Sequence, residues 1–138
     1  MLNREAKLKS IALLVVRLAF GGRIIYGVTD NVFSWEHMLA FEAFLQANGF
    51  PLPLVSAIAS VYLQFLAGIA WVIGYKVRWA AVLMAGNFLV ALVGVHLIHG
   101  DSYLNLAPAL HLLVISGLLW AFGAGHYSLD QKLGQPNH

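Results

Sequence analysis

The sequence predicts an all-α fold: a bundle of four transmembrane helices, with a short amphipathic helix between the first and second spans. Two observations carry this prediction. Of the 138 residues, 60% are hydrophobic and only 10% are charged, whereas about a quarter of a soluble domain is charged. The uncharged runs 53–75 and 79–98 are joined only by Lys76, Val77 and Arg78, and roughly 18 apolar residues suffice to cross a bilayer as a helix.

The length allows a single domain of about four spans, which covers the whole chain, 1–138. We predict the spans at about 11–30, 53–75, 79–99 and 105–122, followed by a cytoplasmic tail over 123–138. The N-terminus has a basic start and an apolar run, but the run contains Arg17 and Arg23 and ends in no small-residue cleavage site. We therefore expect a retained helix rather than a signal peptide.

The segment at about 34–48 has the pattern of an amphipathic helix. Ser34 can cap it, with Glu36 in the first turn. Apolar residues then recur at helical spacing: Trp35, Met38, Leu39, Phe41, Phe44 and Leu45. Because Glu42 and Gln46 interrupt them, we expect this helix to lie along the membrane interface or to cover the end of the bundle.

The basic residues predict the orientation. Outside the spans they occur in the N-terminal segment, in the turn at Lys76 and Arg78, and in the tail at Lys132. The segments 31–52 and 100–105 contain none. The positive-inside rule then predicts a multi-pass protein of the inner (plasma) membrane with both termini cytoplasmic.

Composition also excludes several classes of function. The chain has no cysteine, which excludes disulfide, thiol-redox and thiolate-metal chemistry. The net charge of +2 comes from a few flanking basic residues, so no nucleic-acid partner is expected. The first expected partner is the lipid bilayer.

Polar residues inside a span are costly in lipid, and each needs a reason. In the first span Arg23, Tyr26 and Asp30 fall on one helical face. Arg23 keeps its charge, so it needs Asp30, a carbonyl, water or an anionic ligand, and both structural pairing and function remain open. Arg17 lies near the cytoplasmic side, and we expect its side chain to extend to the membrane surface.

The other spans carry further polar residues. In the second span, small and polar residues repeat every four positions: Ser56, Ser60, Gln64 and Gly68. Such a ladder serves either helix packing or a binding site. Asn87, His96 and His99 lie in the third span and His111 in the fourth. We expect His99 to bond water at the interface, and the histidines are too loosely spaced to predict a metal site.

On this topology, polar side chains from all four spans fall between the middle of the membrane and its outer side. The sequence therefore predicts a polar pocket that opens outward. Its candidate ligand-binding residues are Arg23, Tyr26, Asp30, Gln64, His96 and His111. No catalytic role is assigned to any residue, and no metal ligand is predicted.

Several short motifs form a fairly specific pattern when taken together. They are Val16-Arg17-Leu18, Gly21-Gly22, Tyr26-Gly27-Val28-Thr29-Asp30, Gly49-Phe50-Pro51-Leu52-Pro53, Gln64-Phe65-Leu66-Ala67-Gly68, Gly74-Tyr75-Lys76-Val77-Arg78, His96 and Gly123-Ala124-Gly125-His126-Tyr127-Ser128-Leu129-Asp130. Over about 11–130 the chain thereby resembles the DoxX family of small four-helix membrane proteins. Gln64 stands where that family often has a glutamate, which removes a proton carrier. Asp30 stands where it often has a lysine, which changes the charge beside Arg23.

The resemblance implies an inner-membrane protein linked to quinone- and sulfur-dependent redox systems or to soluble redox enzymes. The leading hypothesis is a non-catalytic accessory subunit that binds a redox-enzyme partner, or further copies of itself as a homo-oligomer. The alternative is an oxidoreductase component whose pocket binds a quinone or another lipid-soluble molecule. Histidine titrates near neutral pH, so His96 or His111 could then serve a quinone oxygen. No cofactor motif is evident, so electrons would have to come from outside this chain.

Overall fold

The computed structural model describes residues 2–134, and within that range the chain is 82% helical and contains no strand. The helices are α1 (Arg4–Phe33), α2 (Trp35–Ala47), α3 (Pro53–Ile73), α4 (Val77–Ala91), α5 (Tyr103–Phe122) and α6 (Leu129–Lys132). A π-helical segment, Leu92–Leu97, continues α4 directly. Four helices are long and apolar enough to cross a membrane: α1, α3, α4 with its π-helical extension, and α5. The predicted fold class is confirmed.

The first helix is longer at both ends than the predicted span. It begins earlier because the Oδ1 atom of Asn3 accepts a hydrogen bond from the Ala6 amide at 2.8 Å and caps the helix. At the other end, the Ser34 amide bonds Asp30 O at 2.9 Å. The Oγ atom of Ser34 accepts from the His37 amide at 3.3 Å, so this one residue ends α1 and begins α2.

The bundle consists of two closely packed helix pairs, α1 with α3 and α4 with α5, which the α3–α4 turn connects. Gly21 faces Gly68 where α1 crosses α3, and a Cβ added to Gly21 would lie 2.9 Å from Gly68 O. Large, fully buried side chains such as Trp71, Met84 and Leu119 lie in the half nearer the α3–α4 turn. We call this end of the bundle the tip end, and the opposite end, where α2 packs, the α2 end.

The α2 helix covers the α2 end by burying one side of itself. Its buried residues, Met38 and Leu45, belong to a second apolar cluster, whose other buried members are Val28, Ala57 and Val61. The side chains of Trp35, Leu39 and Phe44 are exposed. A position along the membrane interface remains a prediction for this helix.

The chain after α5 folds back against the tip end and bonds Arg17. This arginine is only 1% exposed. Its Nη1 atom donates to Ala124 O at 2.6 Å, and its Nη2 atom donates to Tyr127 O at 3.0 Å. Gly123 and Gly125 have positive φ angles of 76° and 86°, a conformation that glycine adopts at little cost and that turns these carbonyls inward. The guanidinium of Arg17 is therefore buried beneath the folded-back segment, so the expectation that it extends outward to an exposed position is wrong.

Asp130 fastens the same segment to the α3–α4 turn. Its Oδ1 atom accepts from the Lys76 amide at 2.6 Å, and its Oδ2 atom accepts from the Val77 amide at 3.1 Å. The Asp130 amide in turn donates to Gly74 O at 2.8 Å. The carboxylate thus satisfies amides at the start of α4, which would otherwise lack partners.

Candidate ligand site at the α2 end

An apolar pocket of about 380 Å³ lies between α2, α3 and α4. Three phenylalanines, Phe41, Phe44 and Phe50, line the side formed by α2 and the loop after it. Most of the remaining lining is aliphatic, and the ring of Phe50 sits where a Cβ on Gly94 would come within 3.0 Å of it. The α2 helix thereby supplies an aromatic cover over a cavity whose floor lies on α3 and α4.

Three polar side chains that line this pocket are linked in series by hydrogen bonds. The Nε2 atom of Gln64 donates to Ser60 Oγ at 3.0 Å, and Ser60 Oγ donates to Asn87 Oδ1 at 2.7 Å. Among the described residues, neither the side-chain nitrogen of Asn87 (Nδ2) nor the side-chain oxygen of Gln64 (Oε1) has a hydrogen-bond partner. All three side chains are partly buried. The pocket therefore combines apolar walls with spare donors and one spare acceptor.

A second cavity, of about 290 Å³, lies on the other side of Gln64. Arg23 and His96 line it together with Gln64, and Phe88 and Ala91 separate it from the aromatic pocket. Three of the predicted site residues, from three different helical elements, therefore meet around one cavity.

A third cavity, of about 240 Å³, brings Arg23 next to His111 between α1 and α5. The Nε2 atom of His111 lies 3.3 Å from the hydroxyl of Tyr103. Arg23 borders both this cavity and the previous one. Arg23 thus lines one cavity with His111 of α5 and the other with His96 of the π-helical segment.

The π-helical segment positions His96. Its Nδ1 atom lies 2.8 Å from Asp101 Oδ2, and the two side chains are 22% and 29% exposed. This is the only ion pair among the described residues, and it forms only when the histidine is protonated. Short π-helical stretches inside α-helices occur frequently at functional sites. His99, by comparison, lies in the turn after this segment, and its Nδ1 atom is 2.6 Å from Val95 O.

Tyr26 and Asp30 lie apart from these cavities. Tyr26 is 86% exposed, Asp30 is also exposed, and neither lines any of the three. Within the described part of the chain, Arg23 forms no salt bridge with Asp30. Pairing with Asp30, one of the alternatives left open for Arg23, is therefore absent here: the two side chains lie seven residues apart on an exposed helix surface, and Arg23 borders the cavity beside α5.

The structure also shows residues that the sequence patterns did not select. Asn87 was noted as a polar residue in its span but not chosen as a candidate, and its contact with Ser60 depends on how α3 and α4 are rotated. Asp101 lies in a loop outside the spans. A carboxylate is ordinary there, so nothing in the sequence marked this residue as a candidate. Within residues 2–134, no group of three or more histidine, aspartate or glutamate side chains could hold a metal ion.

The four helices that are long and apolar enough to span a bilayer make this chain a multi-pass α-helical membrane protein. The family model for DoxX matches residues 12–97, and the chain therefore belongs to the DoxX family. Neither a curated protein nor a solved structure matches the chain significantly.

Proposed function

We propose that this DoxX-family protein binds a lipid-soluble ring compound with a carbonyl oxygen, of the quinone class, in the aromatic pocket at the α2 end. The observation that carries the proposal is the unused hydrogen-bonding capacity of Asn87 and Gln64 inside an apolar cavity. Unsatisfied polar groups are costly at membrane depth. A carbonyl oxygen on a ligand would accept a hydrogen bond from the side-chain Nδ2 atom of Asn87.

The size and lining of the pocket suit such a ligand. Its volume of about 380 Å³ falls within the range of roughly 300 to 1,000 Å³ that is common for ligand sites. Aromatic rings pack well in offset or edge-to-face contact with other rings, and Phe41, Phe44 and Phe50 offer three such rings. The aliphatic part of the lining would suit an apolar tail.

The cavity beyond Gln64 adds charge and a titratable group next to the proposed site. Arg23 and His96 line it, and His96 contacts Asp101. Reduction of a quinone consumes two electrons and two protons. This chain offers no thiol for electron transfer, so the electrons would come from a partner protein. We therefore propose ligand binding within a redox system and assign no catalytic step to this chain.

Binding of a short-chain ubiquinone and a short-chain menaquinone to the purified full chain in detergent would test the proposal. Asn87→Leu and Gln64→Leu should each weaken binding by about threefold to tenfold, the value of one hydrogen bond. Asn105→Leu and Gln46→Leu are matched controls, because both residues are exposed and line none of the cavities. Equal effects of the pocket and control substitutions would contradict the proposal, as would no binding of either quinone by the wild-type chain.

The accessory-subunit hypothesis is the second candidate. It is favoured by the pairing of polar side chains with each other, as in His96 with Asp101 and His111 with Tyr103, which is what a packing role requires. This hypothesis predicts no quinone binding, and it predicts that Asn87→Leu leaves the cellular phenotype and the recovery of a redox-enzyme partner unchanged. The same variants therefore distinguish the two candidates.

We also propose that the protein lies in the inner (plasma) membrane with the tip end in the cytoplasm. The Ser10 hydroxyl accepts from the His126 amide at 3.2 Å, and Asp130 bonds the α3–α4 turn. The N-terminal part of α1, this turn and the tail thus meet at one end. These three regions hold all the basic residues outside the spans, as the positive-inside rule requires of a cytoplasmic face.

A further inference from the structure

A groove of about 840 Å³ lies at the tip end, between α1, α3 and the chain after α5. One side is apolar and is formed by Leu14, Val72 and Ile73. The other side is formed by the folded-back segment and ends at Lys132. It lies at the opposite end of the bundle from the aromatic pocket and shares no lining residue with it.

Arg17 lies at the base of this groove and forms no salt bridge with another described residue. It is 1% exposed, and its Nε atom has no hydrogen-bond partner. The other two guanidinium nitrogens bond the carbonyls of Ala124 and Tyr127, but carbonyl oxygens do not neutralise a positive charge. In the described part of the chain, no carboxylate lies within salt-bridge distance of Arg17. A buried charge that makes no direct contact with a carboxylate favours an anionic ligand.

The nearby carboxylate does not line the groove. Asp130 interacts electrostatically with Arg17, but both of its side-chain oxygens accept hydrogen bonds from the start of α4. The following residues, Gln131 and Lys132, line the groove instead. Among the described residues, the lining includes Arg17, Lys132 and the imidazole of His126 but no acidic side chain.

We propose that this groove binds an anionic phospholipid from the leaflet at the tip end. The headgroup phosphate would lie near Arg17 and Lys132, and an acyl chain would run along the apolar wall of Leu14, Val72 and Ile73. The depth fits this arrangement, since a Cβ on Gly74 in the α3–α4 turn would lie 2.9 Å from Arg17 Nη1. The guanidinium of Arg17 is therefore level with the turn at which α3 ends and α4 begins, and the headgroups of a bilayer would lie at this end of the two spans. Basic pockets between helices on the cytoplasmic side are suited to such headgroups.

Native mass spectrometry of the full chain in a nonionic detergent would test the site, with phosphatidylglycerol and phosphatidylcholine of identical acyl chains as probes. The wild-type chain should bind phosphatidylglycerol at least about fivefold more tightly. Lys132→Gln should weaken that binding about fivefold, the contribution of one basic residue near anionic headgroups, and leave phosphatidylcholine binding unchanged. Lys7→Gln is the matched control, because Lys7 is exposed near the same end but lies outside the groove.

Three outcomes would overturn the proposal: equal affinity of the wild-type chain for the two lipids, equal loss in Lys7→Gln and Lys132→Gln, and displacement of phosphatidylglycerol by inorganic phosphate at the same concentration. The last outcome would mean that the groove takes small free anions rather than a lipid. Arg17 is not substituted in this experiment, because it also fastens the tail to the bundle.

Discussion

Replacing Asp130 tests whether the chain after α5 is an integral part of the bundle. Asp130 is 4% exposed, and its two oxygens accept hydrogen bonds of 2.6 Å and 3.1 Å from the Lys76 and Val77 amides. Loss of a helix cap costs about 0.5 to 2 kcal/mol, and leaving a buried donor unpaired costs about 1 to 3 kcal/mol. We therefore expect Asp130→Ala to lower the free energy of unfolding by about 2 to 4 kcal/mol.

Asp130→Asn keeps the shape of the side chain but retains only one acceptor oxygen and loses the charge. We expect it to cost about 1 to 2 kcal/mol, because one amide of α4 then faces an NH₂ group. Asp30→Asn is the matched control, since Asp30 is exposed and should change the stability by no more than about 0.5 kcal/mol. Reversible unfolding of the purified protein in mixed micelles, followed by circular dichroism, measures all three. The reasoning is refuted if Asp130→Asn is as stable as Asp30→Asn.

Three further predictions follow from the packing. Gly21→Ala should destabilise the protein by about 1 to 3 kcal/mol in the same unfolding assay, because its Cβ would lie 2.9 Å from Gly68 O. Arg23→Leu and Asp30→Asn should be additive in a double-mutant cycle, with a coupling below about 0.5 kcal/mol, since the two residues form no ion pair. A reporter enzyme fused after Gly134 should be active in the cytoplasm, because the tail lies at the basic end of the bundle.

Each of these predictions has a result that contradicts it. Gly22→Ala is the control for Gly21→Ala, because nothing lies within 4 Å of a Cβ added there. Equal stability of the two variants would mean that the α1–α3 crossing is not close. A coupling above about 1 kcal/mol between Arg23 and Asp30 would mean that the two residues do form an ion pair, one of the alternatives that the sequence left open. Activity of the fused reporter on the outer side of the membrane would reverse the orientation.

The spans were predictable because crossing a bilayer depends on the length of an uncharged run, and that length can be counted along the chain. The α3–α4 turn was placed by Lys76, Val77 and Arg78 between two such runs. Helix ends were less predictable: α1 begins at Arg4 because Asn3 caps it. The π-helical segment Leu92–Leu97 has no pattern in the sequence that distinguishes it from a continuing α-helix.

The candidate site was predictable in part. Polar residues in a span stand out against the apolar residues around them, so Arg23, Gln64, His96 and His111 could be selected from sequence. Whether they meet depends on the rotation of each helix about its axis. That rotation brings Arg23 to both histidine-lined cavities and leaves Tyr26 86% exposed.

The sequence by itself determined that this chain has four helices long and apolar enough to cross a membrane and to which family it belongs, because both follow from the order of residues along the chain. Only the tertiary structure decided which groups neutralise or satisfy one another. Asp130 caps α4 from more than 50 positions away, and Arg17 bonds carbonyls beyond the last span. Backbone carbonyls and amides occur at every residue, so no sequence pattern marks which of them a distant side chain will reach. Packing alone makes that selection.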